Sequence, residues 1–188
     1  PENLRAAIRV LRAAGYDVFA PTPAAGRPYC CGRTYLSAGM VDKARAEAER
    51  LVTALYPLAR SGVRIVGLEP SCTLALRDEV PAQLGTAQAE AVAEATLTFA
   101  ELIEADRPDL PVPAAAARRP VKLHGHCHQK AFDLVKPAEA VLRDIAGAEV
   151  EVIETSCCGM AGAFGYGRDT YDVSVSYTHL RAHETTCD

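Results

Sequence analysis

Apolar residues return at helical spacing from the first turn of the chain. Leu4, Ala7, Ile8, Leu11 and Ala14 share one face, and Gly15 stands where a helix C-cap belongs. The period then changes: YDVFA (16–20), ended by Pro21 and Pro23, predicts a short buried strand. Val41, Ala44, Ala48, Leu51, Leu55 and Leu58 mark the stripe of a long helix, with a bend expected at Pro57 and a stop at Gly62. VRIVGL (63–68) predicts a second strand, and Cys72, just past Pro70, opens a short helix expected to end near Pro81. Thr86 is placed to cap one helix carrying Val92, Ala95, Phe99 and Leu102 on its inner face. RPDLPVPAAAARRP (107–120) reads as a linker. VKLHG (121–125), a helix near 137–146 and the strand EVEVIE (149–154) follow.

Strands alternating with helices predict an α/β fold with parallel sheets and flanking crossover helices. Every paired or lone cysteine up to residue 158 then falls after the carboxyl end of a strand, the edge where open α/β sheets place their sites. The two halves also read as one unit used twice. The first runs helix, strand, Cys-Cys-Gly, helix, strand, Cys; the second runs strand, Cys, helix, strand, Cys-Cys-Gly. This divides the chain into a first unit over 1–106, a linker over 107–120 and a second unit over 121–175, with both ends expected to be cut. The chain opens at Pro1 inside a helical pattern, so more sequence is expected before it. From about Ser176, SYTHLRAHETTCD continues no pattern and resembles translated sequencing-adapter read-through, a non-native tail. His179, His183 and Cys187 in it are therefore left out of the site.

The net charge of −4, with both signs mixed along the chain, gives no basic footprint for nucleic acid. The apolar runs are broken by charged residues well before bilayer length, so no transmembrane segment is expected. No secretion signal opens the chain, which predicts a cytoplasmic protein, with peripheral attachment to the inner face of the membrane as an option. In that setting seven cysteines point to metal or redox chemistry before a disulfide scaffold. Two pairs are adjacent, Cys30-Cys31 and Cys157-Cys158, each followed by glycine. Neighbouring Cα atoms lie about 3.8 Å apart across a trans peptide, while a disulfide prefers about 4.4–6.8 Å. Ligation of one metal centre suits the adjacency better.

Iron–sulfur clusters need several thiolates converging from separate loops. Gly32 and Gly159 can turn the chain sharply after each pair and bring backbone amides close to sulfur. The candidate ligands are Cys30, Cys31, Cys72, Cys127, Cys157 and Cys158. Zinc is the main inorganic rival, but residues 1–175 contain no Cys-x-x-Cys. HGHCHQKA (124–131) flanks Cys127 with His124, His126 and His128; an extended segment would put the histidines on one face and the cysteine on the other. Some of them are assigned as hydrogen-bond donors to a cluster sulfur or at a redox partner's site, and the others as ordinary surface residues. Arg33 and Lys130 would raise the potential of a nearby negative cluster, whereas Glu69 and Arg168 read as a solvated rim. Nucleophilic catalysis by Cys127 would leave both Cys-Cys-Gly motifs unexplained, so no catalytic residue is assigned.

CCGRTYLSAG (30–39), VGLEPSCTLALRDE (66–79), HGHCHQKA (124–131) and SCCGMAGAFGY (156–166) resemble, in order, the characteristic blocks of the cysteine-rich CCG domain family. The likeness is greatest to the C-terminal iron–sulfur part of FAD-linked oxidases of the D-lactate dehydrogenase and glycolate oxidase type. The resemblance implies two Rossmann-like units, each giving cysteines to a 4Fe–4S centre: Cys30, Cys31 and Cys72 to one site, Cys127, Cys157 and Cys158 to the other. It also implies FAD on a missing domain or partner subunit that oxidises a CH–OH group of a 2-hydroxy acid. Electrons would then pass through this chain to a quinone or cytochrome acceptor. A protein of the heterodisulfide reductase kind, working on disulfides, and a non-enzymatic zinc-binding module are the alternatives.

Overall fold

The computed structural model describes residues 2–23, 26–112, 120–153 and 158–176. The first half opens with α1 (Glu2–Ala13), closed by hydrogen bonds from Gly15 N–H to Arg12 O and from Tyr16 N–H to Leu11 O. Residues 16–20 are not a strand. Tyr16 and Val18 pack against Leu11, Leu102 and Ile103, so the apolar run seats a coil on a helix pair rather than joining a sheet. A short helix α2 (Arg33–Ser37) and the long α3 (Val41–Arg60) follow, and α3 continues through Pro57 to its predicted stop.

The strand β1 (Ile65–Gly67) leads into α4 (Pro70–Arg77) and α5 (Glu79–Leu84). The helix expected to end near Pro81 is thus two helices. The break falls at Asp78 instead, and Pro81 sits in the first turn of α5, where a missing N–H costs nothing. The helix expected from Thr86 through Leu102 is also divided. Thr86 caps α6 (Ala87–Ala95), residues Thr96–Thr98 form strand β2, and α7 spans Phe99–Asp106. Two β-branched threonines flank Leu97, and Thr98 caps α7 in a reciprocal box with Glu101, so local chemistry overrides the helical period.

β2 pairs parallel with β1, Ile65 opposite Thr96, Val66 opposite Leu97 and Gly67 opposite Thr98. Successive strand residues face opposite ways. Ile65 packs on the cluster of Leu51, Leu55, Val80 and Val92 between α3, α5 and α6. Val66 and Leu97 pack on the cluster of Leu11, Leu102 and Ile103. The two-stranded sheet therefore lies between two apolar layers.

The second half repeats the plan with less cover. Strand β3 (Val121–Leu123) is followed by α8 (Cys127–Ala131), α9 (Val135–Ala140), a π-helical turn (Val141–Ile145) and β4 (Val150–Val152). β4 pairs parallel with β3, Val121 opposite Val150. A short helix α10 (171–176) comes after a 3₁₀ turn at Phe164–Tyr166. Among the described residues the architecture is α/β with two separate two-stranded parallel sheets. Each sheet is a strand–helix–strand crossover in which a cysteine opens the helix after the first strand. Cys30 and Cys31, in contrast, do not follow a strand, a correction to the expectation that every cysteine would. The halves meet where α7 packs on α9 and α4 packs on α8. Among the described residues no helix is long and apolar enough to cross a membrane. Residues 113–119 of the linker and the tail residues His179, His183 and Cys187 lie outside the described residues.

Candidate metal centre

The loop before the first cysteine pair is held by α3. Arg50, on α3, donates to the carbonyl oxygens of Pro28 at 2.5 Å and Arg27 at 3.3 Å, and its guanidinium lies over the Tyr29 ring, 5.0 Å from the centroid. The buried Glu47 carboxylate takes Arg50 at 2.7 Å and also pairs with Arg27. Hydrogen bonding from Arg50 holds the Glu47 carboxyl below its ordinary value, against burial, with Arg27 adding to the effect. Gly32 then turns the chain with φ 80°, and its N–H donates to Cys30 Sγ at 3.4 Å. A Cβ at Gly32 would stand 2.6 Å from the backbone oxygen of Ala44, so both dihedral and contact demand glycine there.

Cys72 arrives from the other side, in the first turn of α4. Its placement depends on Gly67 at the end of β1, where any Cβ would run into the Thr73 hydroxyl; the helix crosses directly over the strand end. Glu69 caps α4, accepting from Ser71 N–H at 3.0 Å and Cys72 N–H at 2.7 Å, with Pro70 at the position that needs no donor. Burial raises the Glu69 carboxyl, but these amides outweigh it and leave it lowered. The residue read as a solvated rim is exposed, yet it orients the cysteine's own amide.

Cys31, which is buried, and Cys72 bring their Sγ atoms to 3.2 Å from each other. The shared hydrogen bond draws the Cys31 thiol down to about 6, against burial, and the same bond pushes Cys72 upward. Arg33 follows on α2 and is ion-paired with Glu79 of α5, which ties the two helices beside the thiols.

In the second half, His126 caps α8. Its Nδ1 accepts the His128 N–H at 3.2 Å, while Gln129 Oε1 accepts the His126 N–H at 3.2 Å. This is a capping box with histidine where Ser or Thr usually stands. The segment is therefore not extended beyond His126: Cys127 and His128 are successive helical residues, not opposite faces of a strand. His124 is exposed, and the rings of His126 and His128 meet edge to face with centroids 5.5 Å apart. His128 Nδ1 is buried without a hydrogen-bond partner. Burial, then the Arg33 charge, lowers its pKa, with Glu79 opposing. Lys130 lies in the same helix, its N–H donating to His126 O at 2.9 Å. Cys158 is exposed, and Ser174 of α10 donates to Gly159 O at 2.9 Å, fastening the turn after the second pair. Cys157 lies outside the described residues.

The structure thus brings Cys31 to Cys72, leaves Cys30 with the Gly32 amide on its sulfur, and puts Arg33 within electrostatic reach of His128. Ser71 Oγ, one residue from Cys72, stands 3.3 Å from His126 Nε2, one residue from Cys127. Among the described residues no three His, Cys, Asp or Glu side chains form a ready metal site. Arg50, Glu47, Ser71 and Gln129 escaped the sequence reading. Gln129 carried one signal, its place three residues after His126, whereas Arg50, Glu47 and Ser71 carried none.

No family model matches the chain, and no solved structure matches it. Over 168 residues it is 28% identical to one component of the anaerobic glycerol-3-phosphate dehydrogenase of Escherichia coli (strain K12), covering 89% of this chain and 41% of that protein. Over 148 residues it is 28% identical to D-2-hydroxyglutarate dehydrogenase of the same strain, covering 78% of this chain and 14% of that protein. The D-2-hydroxyglutarate dehydrogenase of Pseudomonas putida (strain KT2440) is 31% identical over 166 residues, covering 87% of this chain and 15% of that protein. The chain spans less than half the length of the curated relatives it matches. The relatives are dehydrogenases, and the first of them is one subunit of a larger enzyme.

Proposed function

We propose that this chain is the iron–sulfur electron-transfer portion of a flavin-linked dehydrogenase that oxidises a CH–OH carbon. The observation that carries the reading is the meeting of Cys31 and Cys72, 3.2 Å apart although 41 residues separate them in sequence. The donor set supports iron: thiols converge from separate loops, a backbone N–H already points at Cys30 Sγ, and a cationic Arg33 stands close by. Cys30, Cys31 and Cys72 would hold one centre, and Cys127, Cys157 and Cys158 the other. A bound cluster supplies one-electron storage at a potential set by charge, hydrogen bonds and exposure. The chain's own residues fix the thiols, hold the Arg33–Glu79 pair beside them and bury Cys31.

The names of the relatives support a donor oxidised at a hydroxyl-bearing carbon, as glycerol 3-phosphate and 2-hydroxyglutarate both are. The four sequence blocks favour a 2-hydroxy acid of the D-lactate or glycolate kind. Flavin chemistry would lie on a separate domain or subunit, and a quinone or cytochrome would take the electrons. The test is anaerobic purification with iron, acid-labile sulfide and zinc measured on one sample. Stoichiometric iron and sulfide are expected, and they should fall in Cys31→Ser and Cys72→Ser. Stoichiometric zinc with iron and sulfide near zero would replace this reading by a zinc module.

A further inference from the structure

We infer that His126 is a positioning residue, latching the second cysteine segment onto the first through a hydrogen bond from its Nε2–H to Ser71 Oγ. The direction of the bond follows from the cap. Nδ1 of His126 accepts the His128 amide at 3.2 Å, and a neutral imidazole with one accepting nitrogen donates from the other. That other nitrogen, Nε2, is 3.3 Å from Ser71 Oγ. One ring therefore does two jobs: it starts α8, which carries Cys127, and it grips the first turn of α4, which carries Cys72.

α8 needs such a grip. It has five residues, none of them buried, so no apolar face seats it. α4, its neighbour, buries Thr73, Leu74, Ala75 and Leu76 in succession and offers a fixed anchor. Ser71 is held in turn by the Glu69 cap at its own N–H. The chain of contacts runs from the core of α4 through Ser71 and His126 to the start of α8. The latch sets the separation and orientation of the two cysteine segments. Its value to an electron relay rests on the function proposed above, while the bond itself does not.

The test separates the latch from the cap. His126→Asn can place an Oδ1 where Nδ1 now accepts, keeping the cap, but is too short to reach Ser71; Ser71→Ala removes only the acceptor. On the intact, reduced, metal-free chain, hydrogen exchange is followed at the amides of Lys130, Phe132 and Leu134, which bond to the carbonyls of His126, His128 and Gln129. Ser71→Ala and His126→Asn should each speed exchange roughly 2- to 12-fold, the loss of one ordinary hydrogen bond. The double variant should go no further, because both changes remove the same bond. His126→Gln, whose longer amide reaches Ser71, should restore part of the protection. ¹⁵N chemical shifts should show the His126 proton on Nε2. Multiplying effects in the double variant, unchanged exchange in either single variant, or a proton on Nδ1 would overturn the latch. Because the chain is metal-free, loss of the latch leaves the iron and sulfide result standing, and a chain that binds no iron leaves the latch standing.

Discussion

Cys72 and Cys127 hold equivalent places and are secured by different means. Each opens a helix just after the first strand of a parallel pair, behind a residue whose side chain accepts a backbone N–H of that helix. At Cys72 the cap is the Glu69 carboxylate and the helix drives four consecutive side chains into the core. At Cys127 the cap is the His126 imidazole, and none of the helix's five residues is fully buried. The first segment is seated by packing and the second by hydrogen bonds. The same local plan can therefore yield one rigid and one adjustable presentation of sulfur, and what decides is the apolar surface behind the helix.

The widest gap between the two should come from core truncation. Leu74→Ala, at a side chain only 1% exposed, is expected to cost about 2–5 kcal/mol in urea unfolding. No substitution within α8 should approach that, and one that did would break the contrast. Glu47→Gln comes next, with about 1.5–3 kcal/mol for charge-assisted bonds lost at a buried position. Because the folded Glu47 carboxyl lies below its unfolded value, its contribution is present above the unfolded pKa and is lost as pH falls through the folded one. The variant should accordingly show a flatter fall of stability on the acid side, read from unfolding midpoints across pH. Gly32→Ala forces both φ 80° and the Ala44 contact on a residue with a Cβ, for about 1–3 kcal/mol. It should also lower iron uptake by the first segment more than by the second. Gln129→Ala, removing one arm of the α8 cap, should cost about 0.5–2 kcal/mol and be visible mainly as faster exchange within α8.

Part of the fold was open to sequence reading, and the limits of that reading have physical causes. The stripe of α3 was plain because twenty residues repeat one period. The run at 16–20 misled because an apolar stretch records burial without saying what covers it; here helices α1 and α7 do, and no strand pairs with it. β2 was hidden inside an apparent helix because three residues of TLT carry too little period to interrupt the pattern, while the capping pair Thr98 and Glu101 stood in plain view. At the site, the cysteines and histidines announced themselves by type. Their supports did not. Arg50 reaches Pro28 from 22 residues away, and Ser71 meets His126 across 55. Such pairings arise only once helices have packed, and no spacing encodes them.

The grip of Arg50 on the loop at 27–29 has an experimental use. Because that loop is moored to a helix that also lines the central cluster, Cys31 is expected to stay shielded from solvent reagents until the first half opens. Its rate of alkylation should follow the opening of the whole first half, rising with denaturant as steeply as unfolding itself. Such behaviour would make the buried thiol a native gauge of opening in the first half, with no dye or engineered label required.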